Sequence, residues 1–369
     1  MMINIILYDN FFITIVLFFS VFLIALIIDG VLGEFPNAIH PVVIIGKLIA
    51  IVKLLLKDID MYIGGLLLFV GVMGVFLIAA NIIYLVVKFL PLIFIIFIVG
   101  ILFSQAFSIK ILLDSAERIR YSLEQKDLNT SRREVGKLVS RKTDNLKRPH
   151  LISATIETLT ENITDSVVGP IFYYFVFGII SISVFCYYHI FDNEFIITNL
   201  NLFVMNNLGL SPNSFVIDII YISLLLAFVY RVINTMDAMV GYKKYHKFGF
   251  IPAKVDDIVN LIPARITGYL MVIASYILSM DWRNSYRIMK RDARNCESPN
   301  SGYPMAACAG ALDIQLEKKN SYVMGDEFKP LETYDIRRAY NLSRWTIFLF
   351  ILAQVFLTLL LIVIIWFIV

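Results

Sequence analysis

Charge is what this chain lacks most. Only 17% of its 369 residues are Asp, Glu, Lys or Arg, against about a quarter in soluble globular domains. The net charge of +3 is too small to point to nucleic acid, and no aromatic–basic interleaving argues for it. Cysteine is scarce as well. Cys186, Cys296 and Cys308 are scattered with no CxxC pair, so neither a disulfide framework nor a zinc site is implied. The four histidines, His40, His150, His189 and His246, show no HxH or HExxH spacing. There is no P-loop of the form GxxxxGKS or GxxxxGKT, and no GxSxG or nucleophile–base pairing to suggest a covalent enzyme intermediate. Residues 1–12 hold no Lys or Arg and no small-residue cleavage site follows the apolar run, so a cleavable signal peptide is not expected.

What the chain has in place of charge is length of apolar sequence. Its residues are 59% hydrophobic and its mean hydropathy is +0.78. About 20 apolar residues cross the ~30 Å hydrocarbon layer. The pattern predicts an all-α polytopic membrane protein, a single membrane domain over 1–369. About six spans are expected: Phe11–Ile28, Met61–Val87, Pro91–Ser108, Val167–Tyr188, Ser214–Tyr230 and Trp345–Val369. Four glycines of the second span, Gly64, Gly65, Gly71 and Gly74, are expected to allow close helix approach. Basic residues crowd the segments 109–166, 231–265 and 281–344, and all three want the cytoplasmic side. The apolar stretch Thr267–Met280 separates two of them and is short. It is therefore predicted not to cross, but to pack against the protein or dip in and out, which leaves both termini outside. Asp192–Pro212 carries Asp192 and Glu194 but no Lys or Arg, which places it outside. The expected cytoplasmic polar segments are 29–60, 109–166, 231–265 and 281–344.

Those segments hold the candidate chemistry. Asp29–Lys47 is punctuated by Gly and Pro and reads as a loop, with Asp29, Glu34, Asn37 and His40; the histidine could simply cap. Leu112, Ala116, Ile119 and Leu123 mark an amphipathic helix. In Glu157–Pro170, ETLTENITDSVVGP, a helix would put Glu157, Glu161 and Asp165 on one face, with Ile152, Ile156, Leu159 and Ile163 on another. Stacked carboxylates repel unless a cation or hydrogen-bond donors lie among them. The stretch is either a solvated face or a metal and phosphate site at the membrane boundary. In 231–265, Pro252 suits a helix start and Pro263 a helix stop. Asp256 and Asn260 share a face with Asp257 alongside, and Asn234 and Asp237 share another. Lys243, Lys244, Lys254 and Arg265 add positive charge. Ser298–Pro304, SPNSGYP, is a tight loop followed by small residues to Leu312. Polar groups gathered outside the spans suit an enzyme working at the membrane surface; a transporter would place ionisable groups near the bilayer midplane. Carboxylates with Asn suit magnesium, and Lys and Arg suit phosphates.

At these motifs the sequence resembles the CobD/CbiB family of cobalamin biosynthesis, the adenosylcobinamide-phosphate synthases. The resemblance is carried by DGVLGEFPNAIHPVVIIGKLI (Asp29–Ile49), ETLTENITDSVVGPIFYYFVFG (Glu157–Gly178), INTMDAMVGYKKYHKFGFIPAKVDDIVNLIPARIT (Ile233–Thr267) and SPNSGYPMAACAGALDIQL (Ser298–Leu316), in the family's order and over nearly the whole chain. It implies ATP- and magnesium-dependent amide formation between cobyric acid, a corrinoid, and an aminoalcohol phosphate, usually aminopropanol phosphate. Under that reading Glu161, Asn162 and Asp165 hold magnesium, with Asp256 a further ligand. Asp165, Asp237 and Asp257 carry the catalysis, Arg141, Lys254 and Arg265 contact phosphates, and His40 and Asn300 shape the pocket. Lys142 stands where the family commonly has an acid, which argues against a metal ligand there. The alternative from another class is a transporter or a corrinoid-handling membrane scaffold without catalysis.

Overall fold

The computed structural model describes residues 2–56, 59–139, 141–190, 215–241, 247–319 and 321–368. The segment Asp192–Pro212, expected outside, and the cations Lys243 and Lys244 lie outside the described residues. The helices in chain order are α1 (Met2–Val31), α2 (Pro41–Leu55), α3 (Met61–Val87), α4 (Leu92–Ser104), α5 (Ile109–Glu124), α6 (Leu128–Gly136) and α7 (Arg148–Ile163). A π-helical turn, Thr164–Val168, leads into α8 (Gly169–Ile190), followed by α9 (Phe215–Val240), α10 (Phe250–Val259), α11 (Leu261–Ile277), α12 (Trp282–Asp292) and α13 (Gly302–Leu312). A hairpin of β1 (Leu316–Lys318) and β2 (Tyr322–Met324) precedes α14 (Thr333–Ile368).

The protein is an all-α polytopic membrane protein. Six helical stretches among the described residues are long and apolar enough to cross a bilayer: Ile13–Val31, Met61–Val87, Leu92–Glu124, Arg148–Ser183, Val216–Val240 and Thr333–Leu361. Each overlaps one of the six expected spans. The pair Phe250–Val259 and Leu261–Ile277 also passes together but is bent by 48°. Thr267–Ile277 is thus the latter part of a helix that begins at Leu261, and Leu278–Met280 lie in the turn after it.

The chain divides into two compact units. One comprises Met1–Phe107, Pro170–Pro252 and Gln354–Val369. Its core is aromatic: the Tyr174 ring of α8 stacks on Phe18 of α1 at 4.5 Å and on Phe103 of α4 at 4.1 Å, and the Tyr174 hydroxyl donates to the Phe18 carbonyl. α3 is the opposite case. Only 11% of its apolar window is buried, and Val70, Ile78, Ile82 and Val86 stand open, a surface that acyl chains rather than water must cover. The loop expected over Asp29–Lys47 is shorter than the Gly/Pro pattern suggests. α1 runs on to Val31, and α2 begins at Pro41, whose fixed φ suits the first helical position. Of the four glycines in α3, Gly64 and Gly65 permit a close approach, because an added Cβ would meet Phe248; Gly71 and Gly74 are not so constrained.

The second unit is Ser108–Gly169 with Ala253–Ala353. α5 buries Ala116, Ile119 and Leu123 as expected, although Leu113 rather than Leu112 is the fourth core residue. α13 is its centre, packed by α7, α11 and α12, and Pro304–Leu312 is buried throughout. Its small side chains let neighbouring backbones come near. A Cβ on Gly302 would strike the Ala293 carbonyl, and one on Gly310 the Asn284 carbonyl. Asn284 and Ser285 of α12 fasten the contact, donating to the carbonyls of Gly310 at 2.9 Å and Ala307 at 2.8 Å. The helix ends at Asp313 in the left-handed conformation. Pro263 does not stop a helix. The break falls at Asn260, and Pro263 stands in the first turn of α11, where its missing N–H costs nothing.

Candidate functional site

The acidic stretch of the sequence forms α7 and the π turn, and its three acids have different surroundings. All of Leu151–Thr160 is buried, so the helix carries Glu157 into the interior. There it is 4% exposed, and three donors meet it. Ser153 Oγ reaches Oε1 at 2.6 Å, while Arg141 Nη2 and the Tyr322 hydroxyl reach Oε2 at 3.0 and 2.8 Å. Ser153 Oγ also accepts from the backbone N–H of Glu317 at 3.0 Å, which ties the hairpin to the same helix turn. Glu157 is therefore an internal ion pair, neither a solvated acid nor an open metal ligand. Arg141, expected to contact phosphate, is committed to it through Nη2, and its Nε is buried with no partner among the described residues.

One turn further, Glu161 and Asn162 are half-buried, and so is Asp165 within the π turn. A π turn takes one more residue than an α turn and is frequent at functional sites. Here it packs against α11, and Thr164 Oγ1 inside it is buried without a partner among the described residues. Tyr322 and Cys296 lie within the electrostatic reach of Glu161. Burial, aided by Glu157 and Glu161, pushes the Tyr322 hydroxyl far above the usual phenol range, so it remains a donor. Burial likewise pushes the Cys296 thiol up to about 12, which keeps it protonated and un-nucleophilic.

A second group of expected residues meets at the loop 298–301. Asn300, 4% exposed, donates through Nδ2 to the Asp257 carbonyl at 2.7 Å and accepts at Oδ1 from Arg265 Nη1 at 3.2 Å. The Arg265 guanidinium lies over the Tyr303 ring at 4.6 Å. Lys254 pairs with Asp257 at 3.1 Å on an exposed edge, and Asn260 Nδ2 donates to Asp256 at 3.0 Å, the shared face expected from their spacing. Nine of the eleven expected site residues lie in this second unit. The other two, His40 and Asp237, lie in the first.

His40 caps α2, its Nδ1 accepting from Val42 N–H at 3.2 Å. The neutral ring then carries its proton on Nε2, which faces Glu34 at 3.7 Å. Burial lowers the pKa of His40 below its ordinary value. Glu34 opposes that shift and Arg231 adds to it. Arg231 donates to Asn234 Oδ1 at 3.3 Å. At the end of α9 the Gly241 N–H closes on the Asp237 carbonyl at 2.7 Å, and a Cβ on Gly241 would overlap the Asp237 carboxylate.

Among the described residues no three His, Cys, Asp or Glu side chains group as a metal cage. Glu161, Asn162 and Asp165 are instead a short set of half-buried oxygen donors. Such a set fits magnesium held by one or two carboxylates together with substrate phosphates. An open cleft of 850 Å³ lined by residues of α5 and α6, among them Glu117, Arg118, Arg120 and Glu134, contains none of the expected residues. Sequence reasoning missed Ser153 and Tyr322 as partners of Glu157. Ser153 stands four residues before Glu157 on α7 and was legible as a neighbour. Tyr322 lies on a hairpin 165 residues away, and nothing local marks it.

Comparison with known proteins bears on the whole of this arrangement. The family model described as CobD/Cbib protein matches residues 22–195 and 202–343. A probable cobalamin biosynthesis protein CobD from Methanothermobacter thermautotrophicus is 40% identical over 90% of this chain and 96% of its own length. The cobalamin biosynthesis protein CobD of Dehalococcoides mccartyi is 32% identical over 84% and 88%, and that of Clostridium perfringens 30% over 89% and 94%. No solved structure matches the chain. With the family model covering most of its length and relatives aligned nearly end to end, the chain belongs to the CobD/CbiB family.

Proposed function

We propose that this protein is the membrane-bound enzyme of cobalamin biosynthesis that joins the propionate carboxyl of (adenosyl)cobyric acid to the amine of an aminoalcohol phosphate, with consumption of ATP. The observation that carries the reading is the split along α7. Glu157 is neutralised and locked in place, while Glu161, Asn162 and Asp165 present oxygen donors at the half-buried turn one step away. A carboxylate resists attack by an amine, and ATP with magnesium supplies the activation of that carboxyl. The chain's own residues then have three tasks. Glu161, Asn162 and Asp165 hold a hard cation. Arg265, fixed by Asn300 and the Tyr303 ring, offers a fork of donors to phosphate oxygens. To Asp257, beside Lys254 and with its carbonyl held by Asn300, we assign acceptance of the proton that the amine sheds. The proposed active face is cytoplasmic, where the basic segments belong by the positive-inside rule.

The test is product formation by purified protein in nanodiscs with cobyric acid, magnesium-ATP and aminopropanol phosphate, read by mass. The expected product is cobinamide phosphate, formed only with ATP. Asp165→Asn should lower its rate by about 10² or more while the melting temperature stays put. Unaltered turnover in that variant would remove the site assignment. Absence of product in the wild type with every candidate amine would favour the transporter or scaffold reading.

A further inference from the structure

α11 and α12 form a helical hairpin whose outer face takes no part in the chemistry above. The turn between them passes through Ser279 at φ +55°, and Asp281 caps α12 by accepting from Asn284 N–H at 2.8 Å. α12 then runs back along α11. The Tyr276 and Trp282 rings meet edge-on at 6.0 Å, Tyr269 and Tyr286 lie 6.4 Å apart, and Gly268 leaves room for the Met289 sulfur. Inward, α12 buries Asn284, Ser285, Ile288, Met289 and Asp292. Outward it exposes Trp282, Arg283, Tyr286, Arg287, Lys290 and Arg291. Asp326 takes Arg287 and Arg291. Arg283 lies over the Trp282 ring, and Lys290 over the rings of Tyr269 and Tyr286. On α11 the outward residues include Ile262, Tyr269, Ile273 and Tyr276, each more than 40% exposed.

If α11 crossed the bilayer, its antiparallel partner would carry these cations into hydrocarbon, where Arg and Lys are strongly disfavoured. If the hairpin stood in bulk water, an apolar stripe and four aromatic rings would be left wet. One environment suits all of it. Aromatic rings belong at the headgroup level, and cations there meet lipid phosphates. We propose that the α11–α12 hairpin lies within the headgroup layer of an anionic leaflet, Ile262 and Ile273 toward the acyl chains and Arg283 and Lys290 on lipid phosphodiesters. The bent pair α10–α11 is then an interfacial element and not a seventh span.

Trp282 is one of three tryptophans, with Trp345 and Trp366, so it can report its own depth. The full chain with Trp345→Phe and Trp366→Phe would be placed in nanodiscs of phosphatidylcholine or phosphatidylglycerol with acyl chains brominated near the carbonyl or near the terminus. Should that variant not fold, the difference between wild-type and Trp282→Phe spectra isolates the same signal. Quenching should be strongest with bromine near the carbonyl and should rise with phosphatidylglycerol. Arg283→Gln and Lys290→Gln should each lower phosphatidylglycerol affinity about fivefold. A true span would carry Trp282 to the carbonyl level of the far leaflet, so single cysteines at Lys254 and Ser279 that label from opposite sides of proteoliposomes would overturn the proposal, as would strongest quenching by terminal bromines or no quenching at all. Equal displacement of the lipid effect by inorganic phosphate or ATP at matched ionic strength would mean a soluble-phosphate site and overturn it too.

Discussion

Glu157 in the second unit and His40 in the first are both shut away from water, and the protein accommodates them in opposite ways. Glu157 is met by a guanidinium and two hydroxyls. His40 has one backbone donor and a carboxylate opposite Nε2, and burial with Arg231 nearby favours its neutral form. An ionisable group taken out of water must be paired and hydrogen-bonded or else give up its charge. Which course a site takes depends on whether the fold can bring a strong enough partner, and here α7 has one from residue 141 while the α2 cap does not. The two sites should therefore fail differently when disturbed.

The largest effect is expected from Arg141→Ala, which strands the buried carboxylate and should cost about 3–5 kcal/mol, seen as a sharp drop in melting temperature in detergent. A loss below 1 kcal/mol would mean that Glu157 does not depend on its cation. Tyr322→Phe removes one hydrogen bond to a charged acceptor and should cost about 2 kcal/mol without altering the shape of the hairpin. The His40 site should instead respond to pH. Its folded pKa lies below the ordinary value of about 6.5, so the unfolded chain takes up the proton first. Its stability contribution is intact above that value and fades as pH falls below it toward the lower folded pKa. His40→Asn keeps a capping side chain and should flatten melting temperature against pH in that window. Lys254→Ala, at a pair whose lysine is 60% exposed, should change stability by less than about 0.5 kcal/mol, which makes it the control for the buried pair.

Much of this architecture could be read from the sequence because the spans are coded locally. Met61–Val87 is bounded by Asp60, whose carboxylate caps the helix, and its apolar run admits no other reading. Asp256 and Asn260 pair because helical spacing alone brings them together. Pro252 opens a helix as expected, but Pro263 opens the next one; proline marks a boundary without saying on which side of it the break falls. The hairpin was not legible, since three-residue strands carry too little alternation to register. The same blindness affected Glu157. Helical phase placed it correctly among the acids of α7, but its burial depends on Tyr322 and Arg141, and distant partners leave no local signature. The offset introduced by the π turn is likewise invisible to a four-residue count.

α13 bears on how a mutational map of this protein should be read. In a saturation scan, positions 302–312 would stand out as intolerant, because the helix is buried from Pro304 to Leu312 and, at Gly302 and Gly310, neighbouring main chains occupy the volume that a Cβ would need. Such a band invites interpretation as catalytic machinery, and it follows directly on the loop that holds Asn300. Its intolerance would nonetheless be a matter of clearance. Grading each position by the size of the substituent rather than by its polarity would tell crowding from chemistry.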